Sequence, residues 1–231
     1  MLLKDIVAEY GPLKIRPYLS AERAFLGFIE DLNEFNAVSL HKSFLREGPK
    51  DVESGLRPRE ILGLVIVANM AMFLTDDVWV PGYLTDVNGK ELPEDVAHDG
   101  VIQCISGPRK GSIMHFEQAL TTSLAHNAMP DDIEAAILME AGRKSERGIK
   151  YTDGMALIVM VDYPGELSDL RKLAADISDS NYKTIYLIAN TSEKLKDFVC
   201  VILKSPGDTL GSIDVNFNRP DGRPDIDRKL K

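Results

Sequence analysis

Two stretches of the chain carry residue types that can do chemistry. The first is Ser106-Gly-Pro-Arg-Lys-Gly-Ser112, where Gly107 and Gly111 bracket the adjacent cations Arg109 and Lys110. A strand, a glycine-flanked basic turn and then a helix can present backbone N–H groups and cations to a bound anion. Gly107, Arg109, Lys110 and Gly111 are therefore the candidate anion-binding residues. The stretch has neither the P-loop spacing nor the GxGxxG pattern, and a solvated turn whose cations confer solubility is the simpler account of it.

The second stretch is Asp95 to Ile105. Metal-dependent nucleases place an acid ahead of a strand, then an acid and a lysine two residues apart on it. The two oxygens hold a divalent cation, and the ammonium steadies the charge that develops as water attacks. Here Asp99 precedes the apolar run Val101-Ile-Gln-Cys-Ile105. Gln103 stands where the second acid is needed and Ile105 where the lysine is needed, so the set is incomplete. Asp99 is a catalytic candidate only if another acid joins it, for instance Glu117 on the following helix, with Arg109 or Lys110 reaching in from the loop. Asp95 and Asp99 as plain loop residues beside Gly100 is the simpler reading.

Other chemistries have less to rest on. The four histidines, His41, His98, His115 and His126, show no three- or four-residue spacing that would aim two rings at one metal; an eleven-residue interval puts His115 and His126 about three helical turns apart. No metal site is expected. There is no G-x-S-x-G elbow. Cys104 and Cys200 lie inside apolar runs, where a thiol behaves as a small buried hydrophobe, and two cysteines this far apart make no disulfide framework. Asp162-Tyr-Pro-Gly165 closes an apolar strand at what would be the carboxyl edge of a sheet, where α/β proteins place ligands; a strand-terminating turn is the simpler account.

The elements that must position these residues are read from periodicity. Ser20 caps an amphipathic helix to Asn36. Pro58 opens a second helix whose body, Ile61 to Leu74, is apolar nearly all round and about fourteen residues long, short of the roughly twenty needed to span a bilayer. Val78 to Asp86 predicts a strand ending at the Asn88-Gly89 turn, and Val101 to Ile105 another. Helical spacing runs from Met114 to Ala128. A further helix begins at Asp131-Asp132 and ends in Arg143, Lys144 and Arg147, with charges that suit the helix dipole at both ends. Met155 to Val161 has the pattern of a strand covered on both faces. A helix around Leu167 to Ile177 and strands at Thr184 to Ala189 and Phe198 to Leu203 complete an α/β (α+β) alternation. The organisation expected is a helical N-terminal part over 1–76 packed on a mixed-sheet core over 77–205, then a mobile charged tail over 206–231.

From about Asp95 to Ser205 this order resembles divergent members of the restriction-endonuclease-like, PD-(D/E)XK, superfamily. The features are Asp99 before the Val101 strand, the helical stretch ending Arg143-Lys-Ser-Glu-Arg-Gly-Ile-Lys-Tyr151, the strand Ala156 to Val161, and Tyr182-Lys-Thr-Ile-Tyr-Leu-Ile188. The resemblance implies a mixed central sheet flanked by helices and, in active members, DNA cleavage with Mg2+. Gln103 and Ile105 imply a member that keeps the scaffold without the metal chemistry.

Composition bounds the rest. The 231 residues are 44% hydrophobic and 27% charged, with a formal charge of -9, which fits a globular chain and no global attraction to nucleic acid or anionic lipid. Arg109 and Lys110, with Arg143, Lys144, Arg147 and Lys150, leave a local basic patch through which nucleic acid could bind. The N-terminus lacks the apolar core of a signal peptide, and a cytoplasmic setting is expected. These features together predict a non-catalytic binding protein that needs no cofactor and acts on a protein partner or as a homo-oligomer. The alternatives are a metal-dependent nuclease using Asp99 and Mg2+, and an anion-binding protein using the Gly107 to Gly111 loop.

Overall fold

The apolar run behind Pro58 is the longest helix in the computed structural model, which describes residues 14–17, 58–85, 99–122, 132–162, 166–167, 169–191, 197–206, 211–217 and 225–229. The expected Ser20 helix, the Asn88-Gly89 turn and Asp95 lie outside these residues. The chain divides into two compact units, Met1–Glu117 and Gln118–Lys231.

In the first unit, strands β1 (Lys14–Pro17), β2 (Val78–Thr85), β3 (Val101–Ser106) and the part of β4 (Ile113–Thr122) up to Glu117 form an antiparallel series in chain order. Helix α1 (Pro58–Leu74) packs on β2 and β3. Every residue from Glu60 to Ala68 is buried, as its all-round apolar pattern requires. The polar interruption, Asn69, turns its amide back to the Val65 carbonyl at 2.8 Å and so costs the core no unpaired donor. Gly100 is needed at its position: its φ is +123°, and a Cβ there would collide with Leu64 of α1. Strand β1 lies within the segment expected to be helical.

The helical spacing after Met114 is overruled, because β4 is a strand. The glycine turn sends the chain straight back along β3, with Val101, Ile102 and Gln103 opposite His115, Met114 and Ile113. A ready ladder satisfies every backbone group at once, and that outweighs a weak local preference.

The second unit is α/β with a mixed sheet. Strands β5 (Met155–Asp162) and β6 (Thr184–Asn190) are parallel, while β7 (Asp197–Lys204), β8 (Gly211–Asn216) and β9 (Asp225–Lys229) continue antiparallel. Helix α2 (Ile133–Ser145) and a single turn, α3 (Ile149–Thr152), precede β5, and α4 (Leu170–Asp176) is the crossover that parallel strands require. Asp132 caps α2 through the Glu134 N–H, and Asp169 caps α4 through Arg171 and Lys172. Ile133, Ile137 and Ala141 of α2 and Leu173 of α4 pack with Leu157, Val159, Leu187 and Val201 of the sheet. The other faces of β5 and β6 are buried too, at Ile158, Met160 and Ile188, as their continuous apolar runs predict.

The expected mobile tail contains β8 and β9. Ile213, Val215 and Phe217 are buried at every second position, and Phe217 meets Phe198 edge-on with ring centroids 6.0 Å apart. The period of two in Ile213-Asp-Val-Asn-Phe217 is short and sits between Gly- and Pro-rich stretches, which hide it. Ile213→Ala should therefore lower unfolding free energy by about 2–5 kcal/mol in urea melts; a tail position would change it by less than about 0.5 kcal/mol.

Candidate functional site

The turn between β3 and β4 is built from its glycines outward. Gly107 and Gly111 have φ of +102° and +92°, which lets five residues reverse the chain. Four of the turn N–H groups are spent internally: Lys110 donates to the Gly107 carbonyl at 3.2 Å, Ser112 to Arg109 at 2.9 Å and Gly111 to Cys104 at 2.8 Å. The fourth, Arg109 N–H, donates to Oδ1 of Asp77 at 2.9 Å, while Arg109 Nη1 reaches Asp77 Oδ2 at 3.1 Å. The anion held by this loop is the protein's own.

Asp77 follows α1 and has a side chain only 2% exposed. Its backbone N–H bonds to Thr75 Oγ1, which in turn bonds the Ala71 carbonyl in the last turn of the helix. A Cβ on Gly107 would collide with the Asp77 carboxylate and lie 2.8 Å from its Cα, so glycine is required for the approach. The Arg109 N–H, against the opposing effect of desolvation, holds the Asp77 carboxyl below its ordinary 3.8.

Of the four residues expected to bind an anion, Gly107 and Arg109 thus serve Asp77 and Gly111 closes the turn. Lys110 is exposed, with no ion pair among the described residues. No helix follows the turn, so it lacks the helix N-terminus that the sequence pattern implies. Sequence reasoning missed Asp77, because its contact to Arg109 spans 32 positions and leaves no local signal.

Asp99 lies at the other end of β3. The ladder continues one step beyond Val101, with Phe116 N–H donating to the Gly100 carbonyl at 3.0 Å; in this register Asp99 falls opposite Glu117. Residues opposite one another in an antiparallel pair share a face, so Val101 and Gln103 share one with His115 and Ile113, whereas Asp99 lies before β3 and beyond Gly100, whose φ of +123° breaks the strand alternation. Glu117 is buried, on a strand rather than the expected helix, and Asp99 is half-buried. Burial depresses the His115 pKa below 6.5 and keeps the ring neutral.

The structure thus places Asp99 and Glu117 at the same end of the β3–β4 pair, with Gln103 further along β3. It does not bring Arg109 or Lys110: β3 puts about 20 Å between Asp99 and the turn, at roughly 3.3 Å per residue, beyond the reach of either side chain. Ile105 is 46% exposed. Among the described residues no group of three or more His, Cys, Asp or Glu could hold a metal ion.

Both cysteines are free and buried, and burial pushes the Cys200 thiol far up, away from nucleophilic chemistry. Asp162 ends β5, and residues 163–165 lie outside the described residues, as do His41, His98 and His126. Among the described residues no helix is long and apolar enough to cross a membrane. No protein-family model matches the chain, and no curated protein matches it.

Gly107→Ala should cost about 1–3 kcal/mol in stability, since it meets both a positive φ and the Asp77 carboxylate. A carboxyl with a depressed folded pKa contributes stability that is fully present above the unfolded value of 3.8 and is lost as pH falls through the folded value. Arg109→Ala keeps the backbone N–H and removes the guanidinium, whose charge and hydrogen bond also lower the Asp77 pKa, so it should raise the midpoint of acid unfolding, followed by circular dichroism, by part of the full effect, whereas Lys110→Ala should leave it in place.

His115 gives a second pH window. A ring kept neutral by burial contributes stability above 6.5 that falls away as pH drops below it, because the unfolded chain takes up the proton first. The part of the slope between pH 7 and 5 that disappears in His115→Gln measures this contribution.

Proposed function

We propose that the chain acts by binding rather than by catalysis, taking a protein partner or a second copy of itself, in the cytoplasm. The observation that carries this reading is the pair Ile105 and Ile113, exposed by 46% and 41% on neighbouring strands beside the basic turn. Exposed apolar side chains gathered in one place mark interaction sites more often than scattered ones do. Two supports accompany it: the position a nuclease of the resembling superfamily gives to lysine holds Ile105, and the N–H groups of Arg109, Lys110, Gly111 and Ser112 in the candidate anion loop are used inside the chain. Two buried free thiols suit a reducing compartment. Light scattering over a dilution series, together with co-purification, should reveal a complex that Ile105→Asp disperses; a strict monomer with no partner would count against binding.

A second reading is favoured by the Asp99 and Glu117 juxtaposition: a nuclease in which these two carboxylates would supply oxygen ligands to Mg2+. It lacks the ammonium, since Arg109 and Lys110 lie at the other end of β3, and the charge of -9 opposes approach to DNA. DNA cutting that requires Mg2+ or Mn2+ and is lost in Asp99→Ala would establish it, and the expected result is no cutting with either metal.

A further inference from the structure

Strand β9 closes the β5–β9 series, and among the described residues no strand pairs with its outer edge. An open edge presents a row of backbone donors and acceptors that another strand can take, and charged residues on it ordinarily ward other strands off. The order of the charges therefore decides what the edge admits. From Asp225 the sequence runs Asp-Ile-Asp-Arg-Lys-Leu-Lys231; from the other end it runs Lys-Leu-Lys-Arg-Asp-Ile-Asp. Laid antiparallel on a copy of itself with Arg228 at the dyad, it sets Asp225 opposite Lys231, Asp227 opposite Lys229 and Ile226 opposite Leu230. A two-fold axis makes each of these pairs twice. Every acid meets a lysine and every apolar residue meets another, and the one like-charge pair is Arg228 with itself.

The register inside the chain agrees with this pairing. The ladder with β8 puts Asp225, Asp227 and Lys229 on one face, opposite Asn216, Asp214 and Ser212, and Ile226 and Arg228 on the other, opposite Val215 and Ile213. Opposed residues of an antiparallel pair share a face. Each pair named above joins two odd-numbered or two even-numbered positions, so both faces run on into the copy without a break. The row that crosses β8 and β9 at Asp214 and Asp227 sets two acids opposite one another, and Lys229 of a copy extends it with a cation. On the other face Val215 is buried while Ile226, opposite it at the edge, is only half-buried. Leu230 of a copy extends that apolar row.

A formal charge of -9 on each chain opposes the approach of two copies. That repulsion falls off over a Debye length of about 8 Å at physiological salt. The segment over 225–231 itself carries two acids against three bases, and opposed residues of a ladder lie about 5 Å apart. Backbone hydrogen bonds along the edge supply affinity, and the order of the charges selects the copy and its direction.

We infer that two copies of the chain join antiparallel at the β9 edge, in the register centred on Arg228. This rests on the second-copy arm of the binding reading above and gives it a surface other than the one around Ile105.

Light scattering and sedimentation of the full chain from micromolar to near-millimolar concentration should show a reversible dimer. Lys229→Asp turns two Asp–Lys pairs into Asp–Asp pairs and should weaken the dimer by about tenfold. Adding Asp227→Lys to it makes those pairs opposite in charge again and should restore the dimer. An unchanged circular-dichroism spectrum and thermal midpoint show that each variant is folded. Should the double exchange fail that check, mixing carries the test. An acidic copy with Lys229→Asp and Lys231→Asp and a basic copy with Asp225→Lys and Asp227→Lys should each dimerise poorly alone and pair when combined. Both stay acidic overall, so net charge does not draw them together. A dimer indifferent to Lys229→Asp, or one that neither the double exchange nor mixing restores, overturns the inference and leaves the binding reading intact. A strict monomer that captures a partner through Ile105 does the same. A strict monomer with no partner overturns both.

Discussion

A carboxylate removed from water at the junction of a helix and a strand sets the conditions for the first unit. Asp77 is 2% exposed in its side chain, and a buried charge is tolerated only when donors answer it. The chief donors are the N–H and guanidinium of Arg109, with the Thr75 side chain beside them. To deliver them, the β3–β4 turn must come within van der Waals distance of the helix end, and that approach excludes a side chain at residue 107. The geometry of the turn, the position of α1 on β2 and β3, and the presentation of Ile105 all follow from this pairing. What the sequence offers as a loop for a foreign anion is a loop that holds an internal one.

The second unit rests on a different constraint. The apolar runs of β5, β6 and β7 must be covered on both faces, and parallel β5 and β6 need a crossover between them. Helix α4 meets both needs, and its end is held by side chains from elsewhere in the unit. Lys204 donates to the Ser178 and Ser180 carbonyls at 2.7 Å each. Ser145, at the end of α2, shares a hydrogen bond with Ser180 and accepts one from Asn181 at its carbonyl. These contacts satisfy the Ser145 carbonyl at the end of α2 and two carbonyls of the turn that follows α4, and explain polar residues there without recourse to a ligand.

Chemistry and architecture part company on β3. The nuclease-like pattern treats Asp99, Gln103, Ile105 and the following cations as one local group. A strand extends by about 3.3 Å per residue, so residues close in sequence are drawn to opposite ends of the element, while Glu117 returns to the Asp99 end of the ladder. Asp99 and Glu117 are thereby separated from the cations of the turn. A fold analogy cannot repair that separation, because activity depends on which groups meet.

Much of the framework was legible in the chain. Continuous apolar runs marked β5, β6 and β7, Pro58 marked the start of α1, and Asp132 with Arg143 and Lys144 marked the ends of α2, because burial on two faces, missing donors and helix dipoles act on neighbouring residues. The strand at Ile113, the strands beyond Pro206 and the partner of Arg109 were not legible. Each depends on a partner in space: β3 for β4, Phe198 and Cys200 for β8, and Asp77, 32 positions away, for the turn. The residues by themselves determined where apolar surface had to be buried and where the chain had to turn. Only the tertiary structure decided which charges were satisfied inside the fold and which apolar groups stayed outside, since pairing energy is set by distance in space and not by position along the chain.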